Sequence, residues 1–364
     1  LHIYAGADKA AVIAALRDRR PSLVGSARAV LIAADADLPA VRDRALAHLC
    51  DGAPAGANVY FSERPINGEI AFVFAGAGAS YPGMGREFLE RYPALLDRLA
   101  ARSRRLLTAL DWSVEGTAKP SAIQQLWGAS ALSQLHLEFS EALGLRADAW
   151  LGYSSGETNA LVAAGVWADP DALMDEMDQA ALIATQLGGE FAAVAPQWDG
   201  PVRWASWNII APVDEVRAAI GDLAHVHLAI INADNDCLIA GDAHACDLAV
   251  ARLGAARCIA LDYPIAVHVP ELRAVRDTWY RLHLRASFAP RSGRVYSTAN
   301  GCAYTPSSAA CAQAILDQAE RTLDLRPVVL QAWMMVCACS SNMAPAAPSR
   351  ALSAAFSASA RRWS

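Results

Sequence analysis

The sequence predicts an α/β protein built on a doubly wound, mainly parallel sheet, with a ferredoxin-like subdomain inserted into it. Three observations predict this. Short apolar strands run twice through a tight turn into a helix, at Ile70–Phe74 and at Ala149–Gly152, which is the layout of a doubly wound sheet. Between about 201 and 263 the pattern changes to strand, helix, strand, strand, helix, strand, the ferredoxin-like order. Before residue 69 a smaller alternating unit stands by itself.

Taken in chain order, His2–Tyr4 is expected as a strand, Asp8–Asp18 as a helix, Ala29–Ile32 as a strand, Leu38–Leu49 as a helix and Asn58–Phe61 as a strand. The buried strand Ile70–Phe74 leads through a glycine-rich turn to an amphipathic helix over Gly85–Leu99. The strand Ala149–Gly152 leads into the helix Glu157–Val166. In the insertion, Ala205–Ala211, His227–Asn232, Cys237–Ala240 and Arg257–Asp262 read as strands. Pro212–Leu223 and Ala243–Leu253 read as helices, Pro212 and Asp214 falling in the first turn of the former. The expected domains are 1–68, a large subdomain over 69–200 and 264–333, a small subdomain over 201–263, and an aberrant tail over 334–364.

Composition removes several function classes. A formal net charge of −6 over 364 residues gives no electrostatic footprint for nucleic acid or an anionic membrane. No apolar run reaches the roughly 18 residues of a membrane span. Eight cysteines lack CxxC spacing and read as reduced thiols of a cytoplasmic protein, with neither a disulfide framework nor a metal site expected; Cys337 and Cys339 flank a single alanine, a poor ligand spacing. Basic charge is almost all arginine, Lys9 and Lys119 being the lysines. The opening Leu1-His2-Ile3-Tyr4 is neither an initiator methionine nor a signal peptide, so the chain is expected to be a piece of something longer.

Gly152-Tyr153-Ser154-Ser155-Gly156 fits G-x-S-x-G. A serine on a strained strand-to-helix turn is lifted above the sheet at the positive end of the following helix. Serine alone is a weak nucleophile and needs a base within hydrogen-bond reach. The plainer reading is a strand–helix turn in which Ser154 caps the helix. Seven histidines, at 2, 48, 136, 225, 227, 244 and 283, have no motif context and are expected on the surface or satisfied in the core.

Four motifs in order resemble the malonyl-transacylase-type acyltransferase domains of polyketide synthases. Phe72–Gly85 resembles the FVFPGQGSQWPGMG opening; Gly152–Glu157 resembles GHSxGE; Asn232–Gly241 resembles NGPxxxVxSG; and His268–Leu272 resembles HSPxM. The variants GYSSGE and Gln124–Gly128 look closer to iterative or polyunsaturated-fatty-acid-type synthases. The resemblance implies an α/β-hydrolase-like core. Ser154 would be the nucleophile and His268 the base, with an oxyanion hole from the backbone N–H groups of Ser155 and Ala77. Ala77 stands where the family has glutamine, and Tyr153 where it has histidine. Gln125, Gln179, Val267 and Tyr153 are the candidate substrate-binding residues. No bound cofactor is implied. The substrates would be a coenzyme A thioester and the phosphopantetheine thiol of an acyl carrier protein; residues 1–68 resemble the linker between ketosynthase and acyltransferase, so a ketosynthase domain would be the neighbour.

Malonyl-selective members hold the free carboxylate with an arginine about 25 residues after the nucleophile, by bidentate pairing. That count reaches Gln179, and no arginine or lysine lies between Ala147 and Val202. The residues before the histidine, Ile265-Ala266-Val267, also depart from the extender-selective patterns. An unpaired carboxylate in a closed site costs several kcal/mol, so an uncarboxylated acyl group is expected; a cation from elsewhere in the fold is the alternative. After Trp333 the family pattern of a strand and E-x-G-P is missing, and back-translation in the neighbouring frame can restore E-H-G-P. The tail therefore reads as a frameshift, with a genuine low-complexity tail as the alternative. A non-catalytic remnant and a serine thioester hydrolase are the competing functional readings.

Overall fold

In the computed structural model, residues 1–64, 68–79, 81, 83–110, 120–198 and 200–338 are described. The chain divides at Gly68 into two compact units, Leu1–Gly68 and Glu69–Ser364.

The first unit holds β1 (His2–Gly6), α1 (Lys9–Arg17), β2 (Ala27–Leu31), α2 (Leu38–Asp51) and β3 (Val59–Ser62). Its strands form a sheet in the order β1-β2-β3, and both pairings are antiparallel. The alternating sequence pattern gives the elements but not this direction. Asp8 caps α1 by accepting from Ala11 N at 2.8 Å. Tyr4, Val12, Leu16, Leu31, Val41 and Leu49 form the core.

In the second unit β4 (Ala71–Phe74) precedes the helices α3 (Arg86–Arg91) and α4 (Ala94–Arg102). The sequence predicts one helix here. It is two, because Pro93 has no N–H to continue the ladder and its ring disfavours helical backbone at Tyr92, which adopts φ −130° and ψ 56°. Then follow α5 (Arg104–Thr108) and α6 (Ala122–Ala142), the latter started by a capping box between Ser121 and Gln124. β5 (Ala149–Gly152), α7 (Gly156–Ala163) and α8 (Pro170–Gln179) complete the first half, and a short π-helical segment, Leu182–Gln186, comes next.

The small subdomain consists of β6 (Trp204–Ile209), α9 (Val213–Ile220), β7 (Val226–Ala233), β8 (Asp236–Asp242), α10 (Ala243–Leu253) and β9 (Cys258–Ala260). The chain returns through a 3-10 turn, Pro270–Val275, to α11 (Arg276–His283), β10 (Arg294–Ser297), β11 (Cys302–Tyr304), α12 (Ser308–Ala319), β12 (Leu323–Asp324) and α13 (Leu325–Ala338). α13 passes through Trp333 and Met334 without a break. Residues 339–364, most of the predicted aberrant tail, lie outside the described residues.

Two sheets result. The first has the order β11-β10-β5-β4, with β4, β5 and β10 parallel and β11 antiparallel to β10. Its core gathers Phe74, Trp150, Leu161, Val166, Ile183, Val295 and Tyr296. The second has the order β12-β7-β8-β6-β9. Without β12 this is the ferredoxin-like order. One side of that sheet packs Leu228, Ile231, Cys237 and Ile239 against Val216 of α9 and Cys246 and Leu253 of α10. Ala229, Ile230 and Ala240 join the core of the first sheet instead, so the insertion is seated on the larger layer. The β12–β7 pairing, Leu323 with Ile230 and Asp324 with Ile231, fastens the end of the large subdomain to it.

Candidate active site

β5 ends at Gly152, and the chain turns sharply into α7. A Cβ on Gly152 would stand 2.1 Å from Glu157 Cα, and one on Gly156 would stand 2.0 Å from the carbonyl oxygen of Phe74. No side chain fits either distance, so the turn tolerates only glycine there. Between them Ser154 is held at φ 57°, in the left-handed region that costs a non-glycine residue about 1 kcal/mol or more. Hydrogen bonds from Tyr153 N to Phe74 O, Gly156 N to Tyr153 O and Glu157 N to Ser154 O, each 2.9 Å, over-determine this conformation. The Ser154 hydroxyl therefore projects at the N-terminal end of α7, where backbone N–H groups have no intrahelical partner.

His268 reaches the same place from 114 residues downstream; its Nε2 lies 2.7 Å from Ser154 Oγ. It too has positive φ, 62°. Its N–H donates to Ala319 O at 2.6 Å and its Nδ1 lies 2.6 Å from Gln318 O. A carbonyl only accepts, so Nδ1 carries the hydrogen and Nε2 presents a lone pair to the serine hydroxyl. Burial pushes the imidazole down to about 4, against the opposing effect of the Gln318 hydrogen bond. At neutral pH it is an uncharged base.

Gln318, near the end of α12, does a second thing. Its side-chain Nε2 donates to Ser154 O at 3.1 Å. One buried residue thus holds the imidazole with its main chain and the backbone of Ser154 with its side chain. Sequence reasoning misses it, since a glutamine in an alanine-rich helix carries no signal. Glu157 is likewise fully buried, and its Oε2 accepts from Thr298 N at 3.2 Å and Thr298 Oγ1 at 2.7 Å. Burial raises its carboxyl to about 7, although the Thr298 and Ser297 hydrogen bonds pull the other way. It fastens α7 to the end of β10.

The other predicted residues divide. Ala77, in a 3-10 turn after β4, is buried, and its N–H donates to Ser155 Oγ at 3.2 Å. The two predicted oxyanion donors are therefore adjacent, and an oxyanion at this place has to displace the Ser155 hydroxyl from the Ala77 N–H. Tyr153 faces the β7–β8 turn. Burial and then the Asp236 charge push its phenol up, while a hydrogen bond from Asn232 opposes them. Gln125 is buried, and its Nε2 donates to Pro120 O at 3.1 Å and Asp262 O at 3.2 Å. It holds the start of the segment that leads to His268. Val267 is half-buried within that segment, whose Ala266 N–H donates to Leu187 O at 2.7 Å.

Gln179 is not gathered with these. It is the exposed last residue of α8, and among the described residues no hydrogen bond joins it to Ser154 or His268. Next to it Asp178 accepts from Trp127 Nε1 at 2.9 Å and pairs with Arg105, whose Nε is also 2.9 Å from Asp175. Arg105 and Asp178 border a cavity of about 430 Å³ whose wall includes Trp127, Met177, Ala181 and Ile183. The guanidinium there already has two carboxylates. Among the described residues no cluster of histidine, cysteine and acidic side chains could hold a metal ion. No helix among them is long and apolar enough to cross a membrane.

A serine on a strand-to-helix elbow, a histidine bonded to it, and an inserted ferredoxin-like layer define an acyltransferase-type fold. Comparison with known proteins agrees. No protein-family model matches the chain. Polyketide synthase GfsE from Streptomyces halstedii is 28% identical over 297 residues, covering 75% of this chain and 7% of that protein. The acyltransferase domain from the second module of the salinomycin polyketide synthase superposes with a TM-score of 0.66 at 24% identity, covering 90% of this chain and 74% of that one. A malonyl-transacylase solved in complex with a type II polyketide synthase acyl-carrier protein superposes with a TM-score of 0.59 at 20% identity, covering 74% and 86%. The chain is thus similar in sequence to polyketide synthases, and its fold is that of the acyltransferase domains of polyketide synthases and of malonyl transacylases. It spans 7% of the length of that curated synthase.

Proposed function

We propose that this chain transfers an acyl group from a coenzyme A thioester to the phosphopantetheine thiol of an acyl carrier protein through an ester on Ser154, and that it prefers an acyl group without a free carboxylate. The observation that carries the reading is the 2.7 Å contact between Ser154 Oγ and a His268 whose other nitrogen is fixed on Gln318 O.

In the first half-reaction Ser154 Oγ attacks the thioester carbonyl while its proton passes to His268 Nε2. The oxygen of the tetrahedral intermediate takes its hydrogen bonds from the N–H groups of Ser155 and Ala77. Collapse breaks the C–S bond, and coenzyme A leaves with the proton from His268. In the second half the carrier thiol gives its proton to His268 and attacks the Ser154 ester, and Ser154 Oγ leaves with that proton. His268 is backed by a neutral carbonyl, so the imidazolium receives less support than an adjacent carboxylate would give it.

The acyl preference rests on charge. No lysine or arginine lies between Ala147 and Val202, and Arg105, beside the end of α8, is already shared by Asp175 and Asp178. A malonyl carboxylate finds no free cation among these groups and bears a desolvation cost. Competing acetyl-CoA and malonyl-CoA for the enzyme, with the Ser154 adduct read by mass spectrometry, tests the preference. A malonyl adduct forming far faster overturns it. Transfer to a carrier protein rather than release as free acid separates this reading from hydrolysis. The frameshift reading of 334–364 is a separate proposal, and coding DNA unable to give E-H-G-P in the neighbouring frame ends it.

A further inference from the structure

Three residues beyond His268 the chain carries a second group that the transfer chemistry does not use. Glu271 lies in the 3-10 turn Pro270–Val275 with its side chain 6% exposed. Its Oε1 accepts from His227 Nε2 at 2.8 Å and from Trp198 Nε1 at 3.3 Å. Its backbone oxygen accepts from Gln197 Nε2 at 3.2 Å. Its Oε2 is buried with no hydrogen-bond partner. His227 is on β7 of the small subdomain, and Gln197 and Trp198 are on the segment that leads into it. Trp198 is itself wedged between Trp204, stacked at 5.7 Å, and the ring of His225 at 4.7 Å.

A buried carboxylate with one oxygen unpartnered is a poor way to gain stability, because an apolar side chain of the same volume avoids the desolvation cost. What it supplies is direction: one oxygen fixed by two donors from two different segments. Burial pushes the Glu271 carboxyl up, but His227, with smaller help from a backbone hydrogen bond and Trp198, holds it below the usual carboxylate range, so the interaction is charge-assisted. On the far side of His268, Gln318 and Ala319 grip the imidazole and the amide. Neither of these restrains the chain that follows, which must leave a residue with φ 62° and enter a tight turn at once. Glu271 is the residue there with side-chain and backbone acceptors both engaged by the small subdomain and its entry.

We propose that Glu271 is a positioning residue: with His227 and Trp198 it locks the small subdomain to the segment carrying His268, and so fixes the imidazole at hydrogen-bond distance from Ser154. This deepens the acyl-Ser154 reading and rests on it for its catalytic consequence, while the lock is measurable without any reaction.

The test compares the wild type with Glu271→Leu, which removes both acceptor and charge, Glu271→Gln, which keeps an Oε1 acceptor, and His227→Leu. Two quantities are read on the full chain. One is amide hydrogen exchange at His268 and Leu272. The other is kcat and KM for acylation of Ser154 by acetyl-CoA. The expected result is at least tenfold faster exchange at those amides in Glu271→Leu and His227→Leu, with kcat down about tenfold and KM within twofold. Glu271→Gln is expected within threefold of wild type in both. A general structural role would accelerate exchange throughout the small subdomain and would not leave KM unchanged. Wild-type exchange in both leucine variants overturns the lock, as does a glutamine variant no better than leucine. If Glu271→Leu does not fold, His227→Leu and Glu271→Gln decide by the same two outcomes. A wild type that forms no acyl-Ser154 sinks the acyl-transfer reading instead, and the exchange measurement still decides the lock.

Discussion

Replacing Glu157 with glutamine keeps the shape of the side chain and an oxygen to accept from Thr298, and removes a titrating group from beneath the nucleophile turn. Burial lifts that carboxyl from 4.5 to about 7. The folded state therefore holds a proton that the unfolded state releases between those values. Stability from this group is fully present below pH 4.5 and is lost as pH rises through about 7. A displacement of that size corresponds to about 3 kcal/mol. His268 and His283 act with the opposite sign: burial depresses both to about 4, so stability falls as pH drops from the ordinary histidine range toward 4. They are common to both proteins and cancel in the comparison. Urea unfolding at pH 5 and pH 8 is the assay. The gain of Glu157→Gln over wild type should grow by about 2 to 3 kcal/mol between the two. A difference that stays constant with pH would refute the assignment of a buried, protonated Glu157.

Other outcomes follow from the same geometry. Gly156→Ala places a methyl 2.0 Å from Phe74 O, so Ser154 labelling by a fluorophosphonate probe should be lost together with several degrees of melting temperature. His268→Ala should abolish labelling in a protein that still folds; labelling at the wild-type rate would remove the base. Gln318→Ala frees Ser154 O but keeps the carbonyl that holds His268, so acylation should fall about tenfold rather than vanish. Because the imidazole is depressed to about 4, the ascending limb of kcat/KM should lie well below the ordinary histidine midpoint, and a limb near 6.5 would contradict the burial argument.

The sequence carries most of the sheet and both members of the serine–histidine pair, for physical reasons. The elbow at Gly152–Gly156 leaves a mark because a Cβ on either glycine would stand about 2 Å from neighbouring backbone, which excludes every residue but glycine. The insertion at Trp204–Ala260 shows because its strands and helices each change period at a visible turn. The break at Pro93 was also open to reading, since proline cannot continue a helix. What stayed hidden depends on partners far apart in the chain. Gln318 acts through a carbonyl that every residue possesses. Thr298 matters only because it meets Glu157 across the end of β10. Glu271 and His227 look like ordinary surface residues until folding puts them 2.8 Å apart. The antiparallel pairing of the first unit's strands was equally invisible, because an alternating pattern fixes elements and leaves direction free.

Incubating the full chain with acetyl-CoA, quenching in acid and mapping the adduct by peptide mass spectrometry interrogates the nucleophile itself. The account predicts an acetyl ester on Ser154 that forms in the wild type, is absent in His268→Ala, and is discharged by a carrier-protein thiol. A folded wild type that carries no adduct on Ser154, or carries it equally well without His268, would contradict it.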